Sequence, residues 1–428
     1  AVLGDTISSV LEEVGHNVSR EYYINDAGEQ IKKLNKTILF YLKNILKKSK
    51  SKLTDDLYPG EYLKKIASKI FNKYSFNNQS DLKKIENHII DIILGDIKKD
   101  LVNLNVIHDN FVSEKTVSSL ENINRLKDKL LKSELAYFGF QEKPKNISNE
   151  YWEQKEQLLF CSKKFGDDSD RALMKPSGEI TYFMSDLLYH TNKIKRKFEV
   201  LINIWGVDHF GYVKRLKSAL SNIVKDDYKI EIKLTSLVNL IKKGEKLKMS
   251  KRSGNYITLR EVTKEVGVDA LRFMMISRNA DKTIDFDFDT LKNKNKDNPV
   301  FYVQYAYARC MSILNISKEK IEEIENDDFK LDYLTLNEEK MLIKYICNFY
   351  NVIRSSAEYF EPHRITNYLY DISKIFHNYW GLGNIDKKKR IITEDDDLTK
   401  SRLVLTKVVS MTINKGLSLL KISSPKTM

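Results

Sequence analysis

Four short stretches bring together side chains whose types and spacing suit chemistry. Lys248-Met249-Ser250-Lys251-Arg252-Ser253-Gly254 follows the polar turn Lys242-Lys243-Gly244-Glu245. Two lysines separated by Met-Ser can set two ammonium groups and a hydroxyl around a triphosphate. Lysines act there as mobile point charges that stabilise the charge developing as pyrophosphate leaves. An ordinary basic surface loop has the same composition. In the second stretch, Trp205-Gly206-Val207-Asp208-His209-Phe210-Gly211-Tyr212, an apolar run enters a Gly-x-Asp-His turn. Ligands of open α/β sheets bind beyond the carboxyl ends of strands. Gly206 would admit a ligand close to the backbone, and Asp208 and His209 can hydrogen-bond a ribose or base; a turn with a capping Asp is the plain alternative. In Thr181-Tyr182-Phe183-Met184-Ser185-Asp186, Tyr182 and Asp186 are four residues apart. If a strand turns into a helix there, a phenol and a carboxylate face one cavity, a pairing suited to a planar cation. A core Tyr and a helix-start Asp would read the same. Ser113-Glu114-Lys115 offers one more carboxylate, which on its own is a solvated charge.

The surrounding pattern supplies elements to position these groups. Val2, Leu3, Ile7, Val10, Leu11 and Val14 fit one face of an amphipathic helix, and Gly15 can end it. Val18 to Ile24 reads as a strand, Asn25 to Gly28 as a turn, and Glu29 to about Lys47 as a helix: the opening of an α/β pattern. Residues 50–135 are rich in Lys and Asn with helical periodicity, broken at Tyr58-Pro59-Gly60. Leu104–Val112, Ile180–Phe183 and Val200–Trp205 carry strand signals, and 141–158 reads as a polar surface insertion. From about 290 onward long helical patterns dominate, with charged connectors at 322–332 and 384–398.

The 428 residues suffice for two or three domains, and 42% hydrophobic content supports a real core. Lys+Arg 72 against Asp+Glu 59 leaves a formal charge of +13. Such an excess favours polyanionic partners, although a Lys-rich genome gives the same bias. Cys161, Cys310 and Cys347 are far apart, which suggests neither a zinc site nor a disulfide framework and fits a reducing cytoplasm. No apolar run approaches the ~18 residues of a membrane span.

Taken in order, the motifs resemble one family. Arg20-Glu21-Tyr22-Tyr23-Ile24-Asn25-Asp26-Ala27-Gly28, Val112-Ser113-Glu114, Gly166-Asp167-Asp168 to Arg171, Thr181 to Asp186, Gly206 to Tyr212 and Lys248 to Lys251 run as in the arginyl-tRNA synthetases, a class I aminoacyl-tRNA synthetase family. Val268-Asp269-Ala270-Leu271-Arg272-Phe273 resembles the segment after which that family's helical anticodon-binding domain is named. Asn298 to Ala306 and Ser423 to Met428 are similar to it as well, so the likeness covers essentially the whole chain. A cysteinyl or methionyl enzyme would share the lysine loop, but the former would want zinc-ligand cysteines. A non-catalytic RNA-binding module is the rival from another class.

The resemblance implies a Rossmann-like α/β catalytic domain over residues 1–275, with an insertion at about 50–100. Its parallel sheet would be incomplete at the N-terminus, and an all-α anticodon-binding bundle would follow over 276–428. It implies activation of arginine by ATP, with Mg²⁺ in the substrate complex and no tightly bound cofactor or metal site, then transfer to the terminal adenosine of tRNA(Arg). Arginine falls to Glu114, Tyr182 and Asp186. Carboxylates grip a guanidinium in a bidentate fork that a lysine ammonium does not match. The adenylate falls to Gly206, Asp208, His209 and Met249, and catalysis to Lys248, Ser250 and Lys251, through positioning and electrostatics. For tRNA the candidates are Tyr302, Tyr305, Arg309, Arg364, Tyr368 and Met428, since bases splayed from RNA loops stack on aromatic rings. Helix packing is the plain role of the same tyrosines. A monomeric cytoplasmic enzyme is expected. The class I His-x-Gly-His signature is not among these residues, which open at Ala1 inside a helical pattern, so a truncated chain of impaired activity is expected.

Overall fold

The computed structural model describes residues 1–49, 51–54, 57–58, 61–74, 85, 88–141, 155–247, 257–317 and 331–428. The first apolar stripe forms α1 (Val2–Glu13), and Gly15 follows it in left-handed backbone at φ +93°. Next come β1 (Glu21–Ile24), α2 (Gly28–Leu46), α3 (Glu61–Lys73) and α4 (Ile89–Asn103). The strand expected from Leu104 is confined to β2 (Asn110–Ser113). Asn105 takes a left-handed conformation and Val106 N–H returns to the Leu101 carbonyl at 2.9 Å, so Leu104 and Val106 finish the helix instead of extending a ladder. Then follow α5 (Glu114–Val117), α6 (Leu120–Lys132), β3 (Ala136–Phe140), β4 (Glu156–Phe160) and β5 (Arg171–Met174). The polar reading of 141–158 therefore gives way to a strand at its end: Leu158, Leu159 and Phe160 are each 1% exposed and pair antiparallel with β3.

The expected strand at Ile180–Phe183 is a helix start. Ile180 makes one bridge to Met174, and α7 (Tyr182–Lys195) begins at once. Thr181 is the reason. Its hydroxyl donates to the Ala172 carbonyl at 2.7 Å and accepts from Met184 N–H, tying the helix cap to β5. β6 (Val200–Gly206), α8 (Phe210–Ile223), β7 (Lys229–Thr235), β8 (Val238–Lys242) and β9 (Glu245–Lys246) come next. They are followed by α9 (Leu259–Val266), α10 (Val268–Met275), β10 (Ile284–Asp287) and α11 (Phe288–Lys292). Three ladders are parallel, β1 with β2, β6 with β7, and β8 with β10, and β9 folds back antiparallel on β8. The rest is helical: α12 (Pro299–Ile316), α13 (Asn337–Tyr359), α14 (His363–Ile385) and α15 (Asp396–Leu419). No helix among the described residues is long and apolar enough to cross a membrane.

Packing divides differently from chain order. Ile38, Leu42, Leu63, Ala67, Ile70 and Ile89 form a small core of their own, which joins α2 to α3 and α4. A second core joins α6, β4, α7 and α8 through Leu130, Phe160, Leu187 and Leu216. The largest runs from Val10 of α1 through Phe273 and Phe286 to Val303, Leu369 and Ile413 of the bundle. Bundle helices approach closely where glycine allows it. A Cβ on Gly416 would meet Leu369 Cδ2 at 2.6 Å, and Leu369 is fully buried. Gly416→Ala is expected to cost about 1–3 kcal/mol of stability through overpacking, read as a lower urea midpoint.

Arg272 is the largest fully buried side chain, and it fastens both ends of the chain. It donates to the Leu420 carbonyl at 2.9 Å, the Leu104 carbonyl at 2.7 Å and Asp5 Oδ2 at 2.8 Å. Lys421 Nζ reaches the other oxygen of Asp5 at 2.5 Å. Asp269, one turn earlier, accepts from Ser423 N–H at 3.2 Å and from Gln304 Nε2 at 3.0 Å. The Asp-Ala-Leu-Arg segment is thus a clasp between α1, α12 and the stretch after α15.

Candidate active site

The carboxyl ends of β1 and β2 carry Asp26 and Ser113 towards α5, and Tyr212 of α8 reaches Asp186 of α7. Asp26, in the turn after β1, organises the first wall of the site. Its Oδ2 accepts from the Ser113 hydroxyl at 2.6 Å and its Oδ1 from Lys115 N–H at 3.1 Å. Ser113 caps α5 in turn by accepting from Thr116 N–H. This fixes Glu114 as the first helical residue, 7% exposed, with Ser185 and Tyr23 beside it. Burial raises the Glu114 carboxyl above its ordinary value, and the neighbouring Asp26 and Asp186 charges push it the same way, against the hydroxyl bond from Ser185.

Asp186 forms the second wall. Its Oδ2 accepts from the Tyr212 hydroxyl at 2.7 Å. Burial raises its carboxyl too, opposed by the Tyr212 bond, Lys193 and His209. Tyr23 carries the matching signature: burial, then Glu114, Asp186 and Asp26, drive its phenol well up, so it stays a neutral donor. Three carboxylates feeling one another across a partly buried site store mutual repulsion. A cation relieves it, and a planar cation with several N–H donors uses the most acceptors.

Residues 303–428 match the family model described as DALR anticodon binding domain, and 177–289 that of tRNA synthetases class I (I, L, M and V). An arginine–tRNA ligase of Pelagibacter ubique is 40% identical over 434 residues, spanning 100% of this chain and 75% of the relative. The chain belongs to the arginyl-tRNA synthetase family. An arginine–tRNA ligase of Wolbachia from Culex pipiens is 42% identical over 433 residues, spanning 100% of this chain and 75% of the relative. A solved structure from Campylobacter jejuni, described as an arginyl-tRNA synthetase, superposes with a TM-score of 0.84 at 28% identity, covering 100% of this chain and 89% of that one. The α/β class I catalytic fold with a helical anticodon-binding domain follows from these matches.

In this synthetase the other expected site residues fall as follows. Tyr182 stands 68% exposed on the first turn of α7, above Asp186 and not enclosed with it. Asp208 and His209 lie beyond the end of β6 with side chains 81% and 53% exposed, 3.7 Å apart. Gly206 has a role beyond ligand approach: a Cβ there would stand 2.5 Å from Asp208 Oδ1, so the glycine makes room for that carboxylate. Trp205 packs between His190 and Tyr212, centroids 6.2 and 5.8 Å away, and joins this end to the Asp186 wall. Lys248, Met249, Ser250 and Lys251 lie outside the described residues. Sequence reading passed over Tyr23, Ser185 and Tyr212 as partners. Each stands inside a quoted motif, and Tyr212 would have been reached by asking what sits opposite Asp186 on the next helix.

On the bundle, Tyr302, Tyr305 and Arg309 of α12 come together with His377 and Trp380 of α14. The Arg309 guanidinium lies 3.8 Å over Trp380 and 4.5 Å over Tyr305, and donates to the Tyr305 hydroxyl at 2.9 Å. It also faces His377 Nδ1 at 2.9 Å. Because arginine only donates, Nδ1 accepts, and Nε2–H donates to the Tyr302 carbonyl at 3.2 Å. Burial pushes His377 down to about 4, which keeps it neutral for that role. Phe301 stacks on Tyr305 at 11°, and Tyr302 faces Tyr370. The remaining candidates sit apart. Tyr368 is a packing residue, 5% exposed, stacked on Phe349 with its hydroxyl on the Tyr345 carbonyl, so it has no face for a base. Arg364 is bound to Glu361 at the start of α14, and Met428 is 53% exposed at the end of the segment held by Asp269.

Proposed function

We propose that this chain is an arginine–tRNA ligase that binds the arginine guanidinium on Glu114 and Asp186. ATP, with Mg²⁺ in the substrate complex, lies towards Gly206, Asp208, His209 and the Lys248–Lys251 segment. The convergence of buried carboxylates under hydroxyl donors supports this reading most directly, because a neutral or purely apolar amino acid would leave that charge unmatched. Tyr182 covers the entry. A carboxylate pair also supplies discrimination without editing, since an analogue lacking the N–H donors leaves buried acceptors unpaired. Residues to about 275 form the catalytic part and those from 276 the tRNA-anticodon part, with Arg364 and Met428 on its margin. The synthetase works as a cytoplasmic monomer.

The test is charging of bulk tRNA with labelled amino acid by the intact protein. Arginine is attached; lysine and citrulline, which lack the charged fork or its charge, are not. Equal charging with citrulline would end the assignment of Glu114 and Asp186. On the bundle, Tyr305→Ala is expected to weaken tRNA affinity by about 1–3 kcal/mol, the range for one stacking contact. Filter binding reads this, and unchanged retention removes Tyr305 from the RNA face.

A further inference from the structure

None of the residues assigned to arginine or ATP comes from the motif running from Gly166-Asp167-Asp168 to Arg171. Gly166 is left-handed at φ +86° and closes a single helical turn at Ser162–Phe165. The chain then places Asp167, its side chain 15% exposed, between two guanidinium groups. Arg171, the first residue of β5, donates from Nε to Asp167 Oδ2 at 2.9 Å and from Nη2 to Oδ1 at 2.7 Å. Arg215, in the second turn of α8, donates from Nε to the same Oδ2 at 2.6 Å, with a longer contact from Nη2 to Oδ1 at 3.5 Å. The bond from Arg171, and then, against burial, that from Arg215, hold the Asp167 carboxyl well below the usual carboxylate range.

Strand β5 thereby holds both helices of the Asp186 wall. Arg171 reaches α8 through Asp167. Its neighbour Ala172 reaches α7, because the Thr181 hydroxyl that caps this helix donates to the Ala172 carbonyl at 2.7 Å, and Thr181 N–H donates to the Leu173 carbonyl at 2.9 Å. Asp186 lies in the second turn of α7, and Tyr212 stands three residues before Arg215 on α8. The Arg215 guanidinium lies 5.8 Å over the Tyr212 ring, and the Tyr212 hydroxyl donates to Asp186 Oδ2 at 2.7 Å. The path from Asp167 to Asp186 is continuous: carboxylate, guanidinium, phenol, carboxylate. The other restraints on this part of α8 aim nothing. Leu216 packs into the apolar core, Phe183 meets the Tyr212 ring edge-on at 6.0 Å, and the Ser218 hydroxyl makes a long bond to the Phe165 carbonyl at 3.4 Å. Apolar contact has no direction, so the ion pair is what orients the phenol.

We propose that Asp167 is a positioning residue for arginine: it joins Arg171 of β5 to Arg215 of α8 and so sets the Tyr212 hydroxyl against Asp186. This rests on Asp186 being a guanidinium ligand. Both oxygens of Asp167 are in use, and both partners only donate. Asparagine at 167 keeps one acceptor and turns an N–H₂ towards those donors, so one guanidinium is released. Arg171 is held by two short bonds within four residues, whereas Arg215 has one short bond across 48 residues. Arg215 is the group that leaves. Tyr212 then loses the neighbour that fixes its ring, and Asp186 loses the donor that holds its carboxylate in one orientation for the incoming fork.

The experiment is a double-mutant cycle read by arginine titration calorimetry on the intact protein at neutral pH. Tyr212→Phe is expected to weaken arginine binding about tenfold, the loss of one hydrogen bond to a charged group. Asp167→Asn and Arg215→Met are each expected to weaken it about fivefold or more, through misplacement of that bond. The combination decides. With Tyr212→Phe already present, Asp167→Asn should cost less than about twofold more, because no hydroxyl is left to position. A full further loss in that background would show that Asp167 acts on the fold at large and would overturn the proposal, as would parent affinity in Asp167→Asn or Arg215→Met. Circular dichroism checks that each variant is folded. If Asp167→Asn is not, Arg215→Met, which leaves the Asp167–Arg171 pair in place, runs the same cycle with Tyr212→Phe. Asp186→Asn separates the two readings. If it binds arginine like the parent, the site assignment falls and the proposal with it. If it loses arginine while Tyr212→Phe or Asp167→Asn keeps the parent affinity, only the proposal falls.

Discussion

Alanine at Asp186 is expected to raise the arginine concentration for half-maximal ATP–pyrophosphate exchange by roughly 10²–10³-fold, about 3–4 kcal/mol, with the ATP requirement almost unchanged. Three losses add up. The guanidinium forfeits one charged partner in a partly buried site. The Tyr212 hydroxyl, which donates to Asp186 at 2.7 Å, is left without its acceptor. Glu114 remains raised by burial and meets the cation alone. Because the guanidinium is remote from the reacting carboxyl group, part of the loss will fall on turnover, where remote binding energy is used for orientation. The assay is run with tRNA present, so that a dependence of activation on tRNA does not mask the effect. A rise of less than threefold would remove Asp186 from the arginine site.

The second large effect is on stability. Arg272→Met is expected to lower the unfolding free energy by about 3–5 kcal/mol, seen as an earlier urea transition by circular dichroism. The guanidinium is wholly buried, and its three nitrogens donate in three directions, to the Leu420 carbonyl, to the Leu104 carbonyl with a longer contact to that of Asn105, and to Asp5. Removing it strands two backbone carbonyls and leaves Asp5, 3% exposed, with Lys421 and a longer contact to Arg20 at 3.5 Å. Arg272→Lys will restore little, since one ammonium does not reach in three directions. Combining Arg272→Met with Asp5→Asn should cost less than the sum of the two changes, because the second relieves the charge that the first exposes. Additivity would show that the two side chains do not act together.

Much of this architecture could be read from the residues because local rules and tertiary packing agree. The stripe from Val2 to Val14, the run from Val200 to Trp205 and the long periodic helices after 290 each bury the face their spacing presents. Legibility failed where one side chain decided the outcome. Ile180–Phe183 has strand composition, yet the Thr181 hydroxyl reaches both β5 and the next turn and converts it to a helix start. Asn105 ended the Leu104 run early by turning left-handed. At the site, Glu114 and Asp186 were found as motif residues, but their distance in sequence hid that Asp26, Tyr23 and Tyr212 hold them. Tyr368 shows the converse: its type suits base stacking, and only its burial against Phe349 assigns it to the core.

The clasp around Arg272 also sets a timetable. Asp5 and Lys421 are 416 residues apart, and Leu104 and Leu420 meet on the same guanidinium. At about 5–20 residues per second of synthesis, α1 waits roughly 20–80 s for the partners that close over its acidic residue. During that interval the ribosome holds a chain whose catalytic half is made but unfastened. Loss of Leu420 and Lys421 would therefore strip partners from α1 and α10 together.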